Sequence, residues 1–309
     1  MVRTIFIDGA EGTTGLEIVE RLEGRKDFDL IRLSDAERKD VDCRKSALNY
    51  ADFAILCLPD EASREAVELL DEDSKTRVID ASSAHRNTSG WIYGFPELVG
   101  PNVVAGAKRV ANPGCFPTGF LALLAPLVRT RLLPRDWPYT VHAVSGYSGG
   151  GKALIARFEE EETDIAYRAY ATSLDHKHLP EMRSKAGLDH DPVFSPAVIP
   201  AFRGMHVEIP LPIMAMRSAS EPDKLRAELF TYYEDSPVVT VHEDRPEEFL
   251  LRTGAEASDR LDLWVLGDDE GKTARLVARL DNLGKGAAGA AVQSLNLMTD
   301  CDPLEGLRL

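Results

Sequence analysis

Short apolar runs at residues 4–7, 30–33, 54–58 and 78–79 alternate with amphipathic stretches at 16–22 and 62–70 over the first hundred positions. Runs of that length, separated by helical periodicity, predict buried strands joined by helices. Strands so separated cannot pair through tight hairpins, so the pattern predicts an α/β fold with a parallel sheet, right-handed crossovers and helices on both faces. After Pro113 the texture changes to a predicted helix at 120–133, a strand at 139–144, a glycine cluster and an acidic helical stretch at 154–167. Strand-like runs at 193–199, 206–212, 238–241 and 261–266, with one helix at 222–233, predict an α+β second domain. The strand at 274–280 and the Ala/Gly-rich helix at 287–298 resemble the first domain again. A chain of 309 residues is longer than a single hydrophobic core usually supports, which also argues for two domains.

Residues 5–15 read I-F-I-D-G-A-E-G-T-T-G, so Gly9, Gly12 and Gly15 follow a predicted strand and, with Thr13 and Thr14, open a predicted helix. Glycines allow a tight turn and close backbone approach, and a helix N-terminus offers unpaired N–H groups and partial positive charge to a pyrophosphate. The spacing G-x-x-G-x-x-G departs from the usual NAD fingerprint, but its place between strand and helix predicts a Rossmann-like nucleotide-binding domain. At the end of the second predicted strand stand Ser34, Arg38 and Lys39, a hydroxyl and two cations that suit a 2′-phosphate. NADPH is therefore expected over NADH, with Asp35 as the opposing sign.

Charge narrows the partners. The formal net charge of −15, from 51 acidic against 36 basic side chains, repels polyanions and excludes nucleic acid as the expected partner. A small phosphorylated molecule remains compatible with local cations in a cleft. Cys43, Cys57, Cys115 and Cys301 form no C-x-x-C pair, and a chain this long needs no disulfides, so a reducing, cytoplasmic setting is expected. The chain opens directly into a strand pattern, and no apolar run is long enough to span a membrane.

The segment Ala111-Asn112-Pro113-Gly114-Cys115-Phe116-Pro117-Thr118-Gly119 directly precedes an apolar helix. At a helix N-terminus a thiol, with an ordinary pKa of about 8.5, is drawn toward its thiolate by the dipole and free N–H groups. The same N–H groups can hold the oxyanion of a tetrahedral intermediate. Cys115 is thus the candidate nucleophile.

N-P-G-C-F-P-T resembles the active-site signature of the N-acetyl-gamma-glutamyl-phosphate reductases, and three further stretches agree. Tyr93-Gly-Phe-Pro-Glu97 resembles the family's Y-G-x-P-E-L; residues 145–152, S-G-Y-S-G-G-G-K, resemble its S-G-x-S-G-A-G loop; residues 281–289, D-N-L-G-K-G-A-A-G, resemble its closing D-N-L-x-K-G-A-A-G. The likeness spans the chain, and the short length resembles the compact (type 2) subgroup. It implies an NADP-dependent enzyme that reduces N-acetyl-L-glutamyl 5-phosphate to the 5-semialdehyde, releasing phosphate, through a thioester on Cys115, in arginine biosynthesis. The alternatives are another semialdehyde dehydrogenase, of aspartate or aminoadipate type, and a non-catalytic NADPH sensor; no metal is expected.

Thiolate formation and collapse of the intermediate need a proton carrier near neutrality, which points to histidine. His176 and His178 lie in D-H-K-H-L-P-E, which resembles the family's H-R-H-x-P-E. His176 is the expected acid/base with Glu181 orienting its imidazole, and His178 is the second candidate; His206 is an outside one. The glycines of the 145–151 loop, with Ser145, Gly146, Ser148, Gly149 and Lys152, can receive either the substrate phosphate or the nicotinamide end of the cofactor. In that division Ser145 and Gly146 go to the cofactor, and Ser148, Gly149 and Lys152, with Asn112 and Arg86, go to the substrate. Asn282, Gly284 and Lys285 are expected beside the cofactor. The expected domains are residues 1–115 with 282–309 for NADP, and 116–281 for catalysis and oligomerisation; fold analogy implies a homodimer or homotetramer.

Overall fold

The computed structural model describes residues 2–309 and groups them into two compact units: residues up to Pro113 with Ala287–Leu307, and Gly114–Gly286 with Arg308–Leu309. The first unit runs β1 (Arg3–Asp8), α1 (Thr13–Leu22), β2 (Phe28–Ile31), α2 (Val41–Tyr50), β3 (Phe53–Leu56), α3 (Asp60–Glu68), β4 (Arg77–Asp80), β5 (Ile92–Tyr93), α4 (Pro96–Val99), α5 (Pro101–Ala105) and β6 (Arg109–Ala111). Its strands lie in the order β2-β1-β3-β4-β6-β5, all parallel. Successive side chains of β1 point to opposite faces, and both are buried. Ile5 and Ile7 pack with Ile18, Leu22 and Val292, whereas Phe6 packs with Leu48, Leu56 and Val78. That two-sided burial is why the strands read as continuous apolar runs.

The second unit runs α6 (Cys115–Arg129), β7 (Thr140–Gly146), α7 (Gly151–Ala156), β8 (Arg168–Ala169), α8 (Leu179–Ala186), β9 (Val193–Ile199), β10 (Met205–Leu211), α9 (Pro222–Tyr233), β11 (Val239–His242), β12 (Leu261–Gly267) and β13 (Ala274–Leu280). Its seven-stranded sheet, β11-β12-β13-β10-β7-β9-β8, is mixed: β7 pairs parallel with β9, and β10 pairs antiparallel with both β7 and β13. The almost wholly apolar α6 lies on one face. A Cβ built on Gly119 would come within 2.9 Å of the Val207 side chain, so the helix packs there by having no side chain.

One local resemblance is resolved and three local expectations are corrected. The strand at 274–280, whose pattern resembles the first domain, lies between β10 and β12 in the second sheet, within the expected 116–281, and only the helix Gly289–Thr299 joins the first unit. The helix expected from residue 120 begins at Cys115, because Pro117 lies in the first turn, where a missing N–H breaks no bond. The acidic stretch stops being α-helical after Ala156, where four successive glutamates, 159–162, repel one another along any helix face. β2 ends at Ile31, before the expected residue 33, and Ser34 is left in the loop beyond it. Among the described residues no helix is long and apolar enough to cross a membrane.

Candidate active site

In the first unit the turn between β1 and α1 is shaped by exclusion. Gly9 has φ +88°, and a Cβ there would lie 2.4 Å from the carbonyl oxygen of Cys57. A Cβ on Gly15 would lie 2.3 Å from the Gly9 oxygen, and the Gly12 N–H closes the turn onto that same oxygen at 2.9 Å. Thr13 and Thr14 open α1, and no side chain caps that helix start. The Thr13 Oγ1 is buried with no hydrogen-bond partner among the described residues. An orphaned hydroxyl beside uncapped helix N–H groups fits a bound anion such as a pyrophosphate.

Beyond β2, Ser34 and Glu37 bond reciprocally: the Ser34 N–H donates to Glu37 Oε2 (2.8 Å) and the Glu37 N–H to Ser34 Oγ (3.4 Å). Arg38 pairs with Asp35 at 3.1 Å and reaches Glu11 of the glycine turn at 4.0 Å, so its guanidinium stands beside that turn. Lys39 is exposed one residue further on. At the end of β4, buried Asp80 accepts from Ser63 Oγ, Ser82 Oγ and the Ser82 N–H and contacts His85 Nδ1 at 2.6 Å. That network fixes the loop carrying Arg86, whose Nε donates to the Asn112 carbonyl at 2.9 Å. The Asn112 side-chain amide donates to Ala287 O, while its Oδ1 is buried without a partner among the described residues.

In the second unit Cys115 is the first residue of α6, after an N-cap Gly114 in extended conformation that provides no side-chain cap. The Gly114 N–H donates to Glu181 Oε1 at 2.9 Å, so a buried carboxylate from α8 anchors the backbone just ahead of the thiol. The His176 and His178 rings are 4.7 Å apart, against the edges of Phe116 (6.2 and 6.1 Å). Phe194 closes on His176 from 5.1 Å. The His178 N–H donates to His176 Nδ1 (3.1 Å), which leaves the proton of the neutral ring on Nε2, 3.3 Å from the Tyr170 hydroxyl. Burial, with Lys177 adding and Asp175 opposing, pushes the His176 pKa down to about 4. Tyr170 is held strongly protonated, by burial first and then by charge on Cys115, with Arg168 opposing. Tyr170 thus stands between the charge of Cys115 and His176, whose ring lies against His178.

Further along, a Cβ on Gly146 would lie 2.7 Å from the carbonyls of Ala201 and Phe202, which fixes the start of the 145–151 loop. Buried Ser145 donates to Gly146 O, and buried Ser148 accepts from Asn282 Nδ2 at 2.9 Å, while Gly149 and Lys152 are exposed. Lys285 is fully buried, and Gly284 is a position where a Cβ would lie 1.8 Å from Ser258 O. His206 lies one residue from the α6-facing Val207 and so faces away. It pairs with Glu208 and lines a cavity of about 420 Å³ with Phe249 and Arg275.

The residues missed by sequence reasoning are Tyr170, Phe194 and Gly286. Tyr170 and Phe194 sit in segments with no local motif, and only folding brings them to His176. Gly286 stood in the noted glycine cluster, but its neighbour was invisible: a Cβ there would lie 3.0 Å from Cys115 Cβ.

Residues 4–106 match the family described as semialdehyde dehydrogenase, NAD binding domain, and residues 115–282 match semialdehyde dehydrogenase, dimerisation domain. The chain is 45% identical to the N-acetyl-gamma-glutamyl-phosphate reductase 2 of a Nostoc species, covering 95% of this chain and 96% of the relative. It is 44% identical to the N-acetyl-gamma-glutamyl-phosphate reductase of Rhizobium etli (96% and 99% covered) and 47% to that of Burkholderia orbicola (96% of each). Among solved structures it is similar to aspartate semialdehyde dehydrogenase II of Vibrio cholerae complexed with ASA, with a TM-score of 0.70 at 17% identity over 97% of this chain and 99% of that one. The aspartate semialdehyde dehydrogenase of Candida albicans with NADP gives a TM-score of 0.62 at 15% identity, over 96% and 98%. At those identities the likeness is one of fold.

Proposed function

This chain belongs to the N-acetyl-gamma-glutamyl-phosphate reductase family of the semialdehyde dehydrogenases, and from that premise we propose that Cys115 is its nucleophile. It is an NADP-dependent oxidoreductase that converts N-acetyl-L-glutamyl 5-phosphate to the 5-semialdehyde and phosphate, a step of arginine biosynthesis. The observation that carries the assignment of Cys115 is its place at an uncapped helix start, with its charge acting on Tyr170, whose hydroxyl contacts His176.

The thiolate attacks the acyl carbon, the bond from that carbon to the phosphate oxygen breaks, and a thioester remains on Cys115. N–H groups at the start of α6 receive the oxyanion of each tetrahedral intermediate. When bound, NADPH supplies the hydride that reduces the thioester. The C–S bond then breaks and the aldehyde leaves. Orphaned Thr13 Oγ1, with the N–H groups that open α1, supports Gly9, Gly12, Thr13, Thr14 and Gly15 as the pyrophosphate cradle, and Arg38 beside that turn supports a 2′-phosphate contact. Arg86, fixed through Asn112, is the proposed anchor of the substrate phosphate.

Proton transfer is assigned to His178. His176 has its lone pair taken by a backbone N–H, its proton directed at Tyr170 and a pKa near 4, so at neutral pH it neither offers a base nor stores a proton. It orients its neighbour instead, and Glu181 holds the backbone of the nucleophile. The dimerisation domain supports a homodimer or homotetramer, which light scattering of the purified protein tests.

The deciding experiment runs the reaction backward, with N-acetylglutamate semialdehyde, NADP+ and phosphate, following NADPH absorbance, and with aspartate semialdehyde as control. Phosphate-dependent turnover that disappears in Cys115→Ser, while NADPH binding persists, is expected. Turnover surviving in Cys115→Ser overturns the thioester route.

A further inference from the structure

In the segment that carries Asn282, Gly284 and Lys285, expected beside the cofactor, the side chains of Asp281 and Asn282 are bonded inward. Asp281, 4% exposed, accepts from Arg203 Nη1 (2.8 Å), from the Ser258 N–H (3.3 Å) and, through Oδ1, from the Leu283 N–H (2.9 Å). Its carbonyl accepts the N–H groups of both Gly284 and Gly286, at 3.1 and 3.0 Å. Asn282, 1% exposed, accepts the Gly204 N–H at 3.0 Å and donates to Ser148 Oγ at 2.9 Å. Two side chains thus tie one tight turn to three separate loops, around residues 148, 203–204 and 258. The turn delivers Gly286 to the nucleophile, where a Cβ would meet both Cys115 Cβ and Asp281 O at 3.0 Å.

We infer that Asp281 is a positioning residue for the reaction: it locks the turn that sets Gly286 against Cys115 and thereby holds the thiol at the N-terminus of α6. The physical basis is close packing. A cysteine side chain has one torsion, and the wall on one side of its Cβ decides which staggered position Sγ occupies. Stabilisation of a thiolate by helix N–H groups falls off within the first turn, so a small displacement of Sγ changes its reactivity. A carboxylate nearly excluded from water is retained here because it has an arginine and backbone donors to satisfy it. Gly286 itself has no side chain because the space belongs to Cys115. The inference rests on Cys115 being the nucleophile, which the Cys115→Ser experiment tests separately.

The test uses the full-length protein without substrate. The rate of iodoacetamide alkylation at Cys115 is followed by mass spectrometry from pH 5 to 10, and NADPH affinity is measured by fluorescence titration on the same samples. Asp281→Asn keeps the size and loses the charge; Gly286→Ala removes no side chain of the network but puts a Cβ against both Cys115 Cβ and Asp281 O. In both, alkylation at pH 7 is expected to slow about tenfold and the pH midpoint to rise by about one unit, with NADPH affinity within threefold of the wild type. Alkylation at the wild-type rate and midpoint in either variant overturns the inference, whether or not NADPH binding changes. Should Asp281→Asn fail to fold, Asp281→Glu, which keeps the carboxylate but displaces it from its Arg203 and Ser258 partners, takes its place, and the wild-type rate and midpoint there overturn the inference.

Discussion

The two helix N-termini proposed as sites of this protein's chemistry are built in opposite ways. The start of α1 is made by residues contiguous in sequence: a turn in which Gly9, Gly12 and Gly15 admit only their own backbone, with Thr13 following. The start of α6 is made by residues brought from afar: Glu181 on the Gly114 N–H, Tyr170 on His176, Phe194 on the rings and Gly286 on the Cys115 side. A site that receives a diffusing anion needs bare N–H groups and space. One that must hold a thiol in a single position needs walls, and walls come from other segments.

The largest expected effect separates the two. Gly9→Val combines a φ of +88° with a Cβ 2.4 Å from Cys57 O, so the turn has to open. A strained clash of this kind is worth on the order of 3 kcal/mol, roughly a hundredfold in cofactor affinity. Fluorescence titration with NADPH should show that loss, while Cys115 alkylates at its normal rate. A matching loss of alkylation would mean that the two starts are not independent.

Next in size is Glu181. Removing its acceptor leaves the Gly114 N–H without its 2.9 Å partner, which for a buried donor costs about 1–3 kcal/mol. Glu181→Ala should lower kcat about tenfold with KM for NADPH little changed, and Glu181→Gln, which retains a carbonyl oxygen, should recover most of it. If Gln is as impaired as Ala, the charge matters and not the bond. A smaller effect belongs to His176. Its pKa is near 4 in the folded chain against 6.5 when exposed, so between those values the unfolded chain binds the proton and the folded one does not. The stability this maintains is complete above about pH 6.5 and lost as pH falls toward 4. Urea midpoints measured at pH 7 and 4.5 should therefore differ less in His176→Asn than in the wild type, and an unchanged difference would place that acid sensitivity elsewhere.

The same contrast explains what was legible. The parallel sheet, the glycine turn and a helix following N-P-G-C announce themselves because period, spacing and glycine placement are local. The apolar run of β13 resembles those of β1 and β4, and its partners β10 and β12 exist only as pairings that the run itself does not show. Asn282, expected beside the cofactor from its glycine-rich segment, bonds to Ser148 and Gly204, 134 and 78 residues away, and no local pattern announces those partners. The bond from the His178 N–H to His176 Nδ1, on which the proposed division of roles between the two histidines rests, has no signature in D-H-K-H.

The smallest effect bears on how the second site holds its walls. Ala171 and Leu174, between Tyr170 and His176, both have positive φ, 54° and 61°, and the Leu174 N–H closes the turn onto the Ala171 carbonyl at 3.0 Å. An alanine held left-handed is strained by about 1–2 kcal/mol, whereas glycine there is unstrained but loses about 0.5–1 kcal/mol to extra freedom in the unfolded chain. Ala171→Gly should therefore raise stability by no more than about 1 kcal/mol. If the stiff turn keeps the Tyr170 hydroxyl 3.3 Å from His176, kcat should fall although the protein melts slightly higher. A variant both more stable and fully active would show that aromatic packing around His176 suffices to hold the pair, and that the strain in this turn serves neither histidine.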